Sequence, residues 1–115
     1  MIKKLKSLLS LFGASGYRYN FTLFSFDNIH GVQDAFPDEP AVFVFAHRMY
    51  DILRMRFTYR LIHCGATRNL SALSAGELSA RFPSLVEADC VGVLYEGNAQ
   101  QRRRVVDDIM RRNFA

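Results

Sequence analysis

Ala41-Val42-Phe43-Val44-Phe45-Ala46 is a run of six apolar residues, and Pro37-Asp38-Glu39-Pro40 sets it off from the chain before it. Aromatic and β-branched residues bounded by turn chemistry read as a compact strand, since a helix of that length would be too short to persist. Phe57 to Cys64 alternates and contains Tyr59, Leu61 and Ile62, so it is assigned as a second strand, antiparallel to 41–46. Between them, Arg48 to Arg56 reads as a long connection whose Met49, Ile52, Leu53 and Met55 allow a helical turn. Cys90-Val91-Gly92-Val93-Leu94-Tyr95 is a third apolar strand.

Flanking stretches supply helices. Thr67 to Pro83 is helical in pieces, with Asn69 or Ser71 as caps, the capping-box spacing at Ser74-Ala75-Gly76-Glu77, and Pro83 as the stop. Asn98 with Gln101 opens a last helix over 99–112, whose stripe is Val105, Val106, Ile109 and Met110. Upstream, Tyr17 to Phe26 reads as a bulged strand: Tyr17, Tyr19 and Phe21 lie on one side, then Phe24 and Phe26 after a change of register. Met1 to Phe12 (MIKKLKSLLSLF) places Ile2, Leu5, Leu8, Leu9 and Phe12 at helical spacing, with Lys3, Lys4 and Lys6 mostly opposite. The expected architecture is therefore α+β: a small, mainly antiparallel three-stranded sheet flanked by helices, with an extra N-terminal amphipathic helix and strand. Residues 1–16 form that helix and its Gly13-Ala14-Ser15-Gly16 joint, and 17–115 form one domain.

Composition narrows the classes. A chain of 115 residues, half of them hydrophobic and with ten Phe and five Tyr, has material for one core and is not disordered. A net charge of +4 favours anionic partners: nucleic acid, an acidic protein surface, or a membrane surface touched peripherally through residues 1–12. No apolar run approaches the roughly 18–20 residues that a spanning helix needs. Cys64 and Cys90, both in apolar segments, read as buried free thiols, which fits a cytoplasmic protein.

From residue 39 onward the order of elements resembles the GIY-YIG nuclease domain. Glu39 to Phe45 stands where the family's first strand motif would be, and Leu61-Ile62-His63-Cys64-Gly65-Ala66-Thr67-Arg68-Asn69-Leu70 where the second would be. Val91 to Tyr95 followed by Arg102 to Arg112 resembles the closing strand and helix. The resemblance implies a loss of catalytic side chains. The family's first tyrosine maps to Phe43 and its second to His63; its arginine maps to Leu73. Its metal-binding glutamate maps to Val106, or to Asp107 one residue on. Phosphodiester hydrolysis needs an activated nucleophile and neutralised phosphoryl charge, and losing one transition-state contact costs ~10²–10³ in rate. The implied protein is a catalytically degenerate module, a pseudoenzyme without cofactor. His63 is the replacement that retains acid–base capability. The competing expectations are an active Mg²⁺-dependent endonuclease that uses His63 with Asp107 or Glu96, and an accessory protein docked on a partner or a membrane through Met1–Phe12 as an attachment helix.

The last helix carries Arg102-Arg103-Arg104 and Arg111-Arg112. Arg103 with Asp107, Arg104 with Asp108, Asp107 with Arg111 and Asp108 with Arg112 have ion-pair spacing, which predicts a self-paired, solvated face. Arg102 lacks such a partner, because position 106 is Val. Arg68, Arg102, Arg103 and Arg104 are accordingly the residues expected to meet a phosphate backbone or an acidic protein.

Overall fold

The computed structural model describes residues 2–27, 36–72 and 80–114. Its framework is a curled sheet of five antiparallel strands with one C-terminal helix against it. The strands are β1 (Ile2–Phe12), β2 (Arg18–Phe26), β3 (Ala41–Asp51), β4 (Arg56–Thr67) and β5 (Cys90–Tyr95), and the helix is α1 (Ala99–Asn113). Their spatial order is β1-β2-β5-β3-β4, so β5, last in sequence, enters between β2 and β3. Short 3-10 turns occupy Leu70–Ala72 and Pro83–Glu87.

The expected three-stranded sheet with flanking helices and an N-terminal helix is thus corrected to five strands. Residues 2–12 form a strand along the whole of β2, from Ile2 opposite Phe26 to Phe12 opposite Arg18. Leu9 and Leu11, two apart, turn inward and are 5% and 9% exposed, whereas Leu8 is 56% exposed. Period two wins because β2 offers a paired backbone and a buried face, and propensity over twelve residues is too weak to oppose that. Lys3, Lys4 and Lys6 are exposed on this edge strand, where charge discourages further strand addition. The break in register lies in β1, between Lys4 and Leu8, rather than in β2.

A second correction concerns 48–56. β3 and β4 pair continuously from Ala41 opposite Thr67 to Asp51 opposite Arg56, so the link is a tight turn and not a long connection. Asp51 closes it by accepting from the backbone N–H groups of Leu53 and Arg54. Of the stretch 67–83 expected to be helical in pieces, Thr67 ends β4, Leu70–Ala72 is a 3-10 turn, Pro83 begins another rather than stopping a helix, and 73–79 lie outside the described residues.

Both faces of the sheet are covered, which explains why 41–46 is apolar throughout. Val42, Val44 and Ala46 pack with Phe21, Leu23, Cys64 and Ile109 on the helix side. Ala41, Phe43 and Phe45 pack with Phe26, Leu70, Leu85 and Val91 on the other. Phe21 and Phe45 are fully buried, each worth ~1.5–3 kcal/mol of apolar burial. Cys64 and Cys90 are buried free thiols, as their apolar surroundings indicated. No helix among the described residues is long and apolar enough to cross a membrane.

Candidate functional site

β2 and β5 pair only from Ser25 opposite Cys90 to Thr22 opposite Val93. Beyond that point each follows its other neighbour. β2 continues along β1 to Arg18, while Leu94 and Tyr95 continue along β3 opposite Val42 and Ala41. Side chains fix the divergence. Tyr19 donates its hydroxyl to Asp108 Oδ2 at 2.7 Å, tying β2 to the C-terminal half of α1. The β5 end is held the other way: Glu96 N donates to the Pro40 carbonyl, and Arg102 Nη1 donates to the Glu96 carbonyl at 2.9 Å.

The parted strands leave a groove of about 760 Å³, within the range of ligand-binding clefts. Leu94 and Val105 contribute its apolar lining; Tyr17, Arg18 and Tyr19 line it from the β2 side, and Tyr95 and Glu96 from the β5 side. Gln101 and Arg104 complete it from the first turns of α1. Tyr17 is 63% and Tyr95 43% exposed, so both present ring surface. The Tyr17 and Tyr19 rings lie 4.8 Å apart at 52°. Arg18 is steadied by donating to Ser10 Oγ at 3.3 Å. Burial, and then the Asp108 carboxylate, push the Tyr19 hydroxyl up to about 12; burial and then Glu39 raise that of Tyr95. The Tyr19 and Tyr95 phenols are therefore neutral hydrogen-bonding groups at pH 7.

The arginine run of α1 divides by helical position. Arg102 is buried at 5% exposure and serves the fold through Glu96. Arg104 faces the groove; Arg103 is exposed. The expected self-pairing along the helix is absent among the described residues, where Arg54 pairs with Asp51 and Arg60 with Glu87. Asp108 is instead taken up by Ser15, whose N–H and hydroxyl both donate to it, and by Tyr19. Arg112 reaches the Gly13 carbonyl. Arg68 is exposed just past β4, at the same end of the sheet as Tyr95 but two strands away from it.

His63 and Phe43 are neighbours on the face away from α1, with ring centroids 6.0 Å apart. His63 also stacks on Phe82 at 4.2 Å, and burial followed by the charge of Arg81 lowers its pKa, so it is neutral at pH 7. Val106 packs into the cluster on the opposite, helix-covered face, and Leu73 lies outside the described residues. Asp107 is exposed on α1, so the sheet stands between it and His63; Glu96 belongs to the groove. Among the described residues, no three His, Cys, Asp or Glu side chains gather as a metal-binding group.

The groove was not visible in the sequence. Its tyrosines come from two strands separated by some seventy residues, and only the insertion of β5 beside β2 makes them neighbours. In comparisons with known proteins, no family model matches the chain, and no curated protein or solved structure is significantly similar to it.

Proposed function

We propose that the chain is a non-catalytic binding module that takes single-stranded nucleic acid in the groove between β2 and β5. The observation that carries this reading is the meeting of Arg18 and Arg104 with the exposed rings of Tyr17 and Tyr95 in one open cleft. Single strands are held without sequence reading by cations that follow the phosphates and by aromatic rings on which bases stack. Two arginines against the one carboxylate of Glu96 leave the groove net positive. The replacement of both family tyrosines, by Phe43 and His63, and the aromatic packing of His63 favour binding over cleavage. A kinship with GIY-YIG nucleases through the Gly65 to Leu70 stretch belongs to the same proposal, as ancestry rather than as chemistry.

The test is fluorescence anisotropy with a labelled single-stranded oligonucleotide over a series of salt concentrations. Binding should weaken steadily with salt. Tyr95→Ala should cost ~1–3 kcal/mol, the worth of one base stack, and Arg104→Ala should lower the salt slope by about one. No binding by the folded protein at low salt removes the reading.

A further inference from the structure

The end of the molecule opposite the groove carries a different feature. β5 pairs with β3 only as far as Ala46, so residues 47–51 and 56–60 continue as a two-stranded arm beyond the sheet. At its apex Ile52, Leu53 and Met55 are 75%, 95% and 74% exposed. Isolated exposed apolar residues are ordinary, but three of the most exposed large ones in the described chain sharing one turn are not.

The apex is held in shape. Asp51 Oδ1 accepts from Leu53 N at 3.1 Å and Arg54 N at 3.2 Å. Met55 adopts φ 55°, a left-handed conformation that a non-glycine residue takes only when its surroundings impose it. Behind the apex, Tyr50 and Phe57 meet at 5.1 Å, and the Arg48 guanidinium lies 4.4 Å over the Phe57 ring. The residues are thus layered along the arm: aliphatic side chains first, then an aromatic pair, with Arg54 and Arg56 beside the apex and Arg48 further back.

We propose that this arm docks the protein on an anionic lipid bilayer. Ile52, Leu53 and Met55 enter the acyl boundary, Tyr50 and Phe57 sit at headgroup depth, and the three arginines meet lipid phosphates. The aliphatic tip followed by the aromatic pair matches the bilayer interface in order, hydrocarbon and then an aromatic belt, and the arginines beside the tip extend back to the phosphates. Charge complementarity selects the partner, since Arg48, Arg54 and Arg56 outnumber the arm's Asp51, and long basic side chains lie along apolar surface while keeping their charge at the phosphates. The aliphatic apex fits hydrocarbon better than stacked bases, and a rigid turn is ordered before it binds, which lowers the cost of docking.

The chain has no tryptophan, so Leu53→Trp installs a single reporter at the most exposed large apolar position among the described residues. Its emission should shift to the blue on vesicles of phosphatidylcholine mixed with phosphatidylserine, and stay unchanged on phosphatidylcholine alone. In co-sedimentation with the mixed vesicles, the chain carrying its own Leu53 should bind, Leu53→Ser should bind about tenfold less, and Arg54→Glu should lose at least about fivefold. Arg104→Ala, in the groove, should bind vesicles undiminished. Unchanged emission and no sedimentation with anionic vesicles at low salt overturn the proposal. So does a blue shift obtained with an oligonucleotide or a second copy of the chain but not with vesicles.

Discussion

The Tyr19 hydroxyl donates to Asp108 Oδ2 at 2.7 Å, and through this contact β2 is drawn toward α1 and away from β5. Asp108 gathers the joint between β1 and β2 at the same time, accepting from Ser15 N at 2.8 Å and from Ser15 Oγ at 2.6 Å. One carboxylate on the last helix therefore fixes the first hairpin and holds one side of the groove. Gly13 is required beside it, since a Cβ there would lie 2.0 Å from Asp108 Oδ2.

Asp108 should contribute to the pH dependence of stability. Donors from Ser15, then Tyr19, hold its carboxyl below its ordinary value of 3.8. A folded-state pKa that is depressed adds stability above the unfolded value, and this is lost as pH falls through the lower folded value. Asp108→Asn should therefore melt below the unmodified chain at neutral pH, and the gap should narrow below pH 3.8. Melting temperature against pH for both proteins checks this; a gap constant down the acid limb contradicts it.

Gly13→Ala tests the same junction from the backbone. The carboxylate that the new methyl would strike is already committed to three donors, so moving it breaks those bonds rather than relaxing the clash. We expect a loss of ~1–3 kcal/mol, measured by urea denaturation.

The strand assignment of residues 2–12 makes an unequal prediction for two adjacent leucines. Leu9 is 5% exposed and Leu8 56%. Leu9→Ala should cost ~2–5 kcal/mol, and Leu8→Ala should stay within about 0.5 kcal/mol. An amphipathic helix would place both on its apolar face and penalise them together. Equal losses in chemical denaturation would reverse the assignment.

That pair also shows what the sequence could and could not reveal. Leu5, Leu8, Leu9 and Phe12 satisfy period 3.6, whereas Leu9 and Leu11 satisfy period two, and only the presence of β2 decides between them. By contrast 41–46 and 90–95 were legible as strands because burial on both sides makes them apolar at nearly every position. The start of α1 was legible too: Asn98 Oδ1 accepts from Gln100 N and Gln101 N, a purely local cap. Asp51 held a local signal for the β3–β4 turn, obscured by the helical spacing of Met49, Ile52, Leu53 and Met55. The groove had no local signal, because it depends on which strands become neighbours.

Three consecutive arginines should behave differently. Arg102 is buried with its guanidinium on the Glu96 carbonyl, so Arg102→Ala should lose ~1.5–3 kcal/mol. Arg103→Ala and Arg104→Ala, at exposed positions, should change stability by no more than about 0.5 kcal/mol. Denaturant midpoints for the three variants separate a run of charge from a run of function.

The two thiols report on how the sheet opens. Burial pushes Cys64 and Cys90 up to about 12 each, and neither side chain reaches solvent appreciably. At pH 7 the thiolate fraction is on the order of 10⁻⁵ and access is closed as well, so the native chain should release almost no colour with a disulfide reagent. Both should react once the chain is unfolded. Their order in mild denaturant follows from topology. Cys64 is on β4, an edge strand that can separate from β3 alone, whereas Cys90 is on β5, held between β2 and β3, and its Sγ contacts the Ala46 carbonyl at 3.4 Å. Opening an edge requires breaking one ladder and opening the centre requires breaking two. Cys64 should therefore be labelled first, at denaturant concentrations where circular dichroism still reports the folded state, and peptide mapping of the labelled chain identifies which thiol reacted.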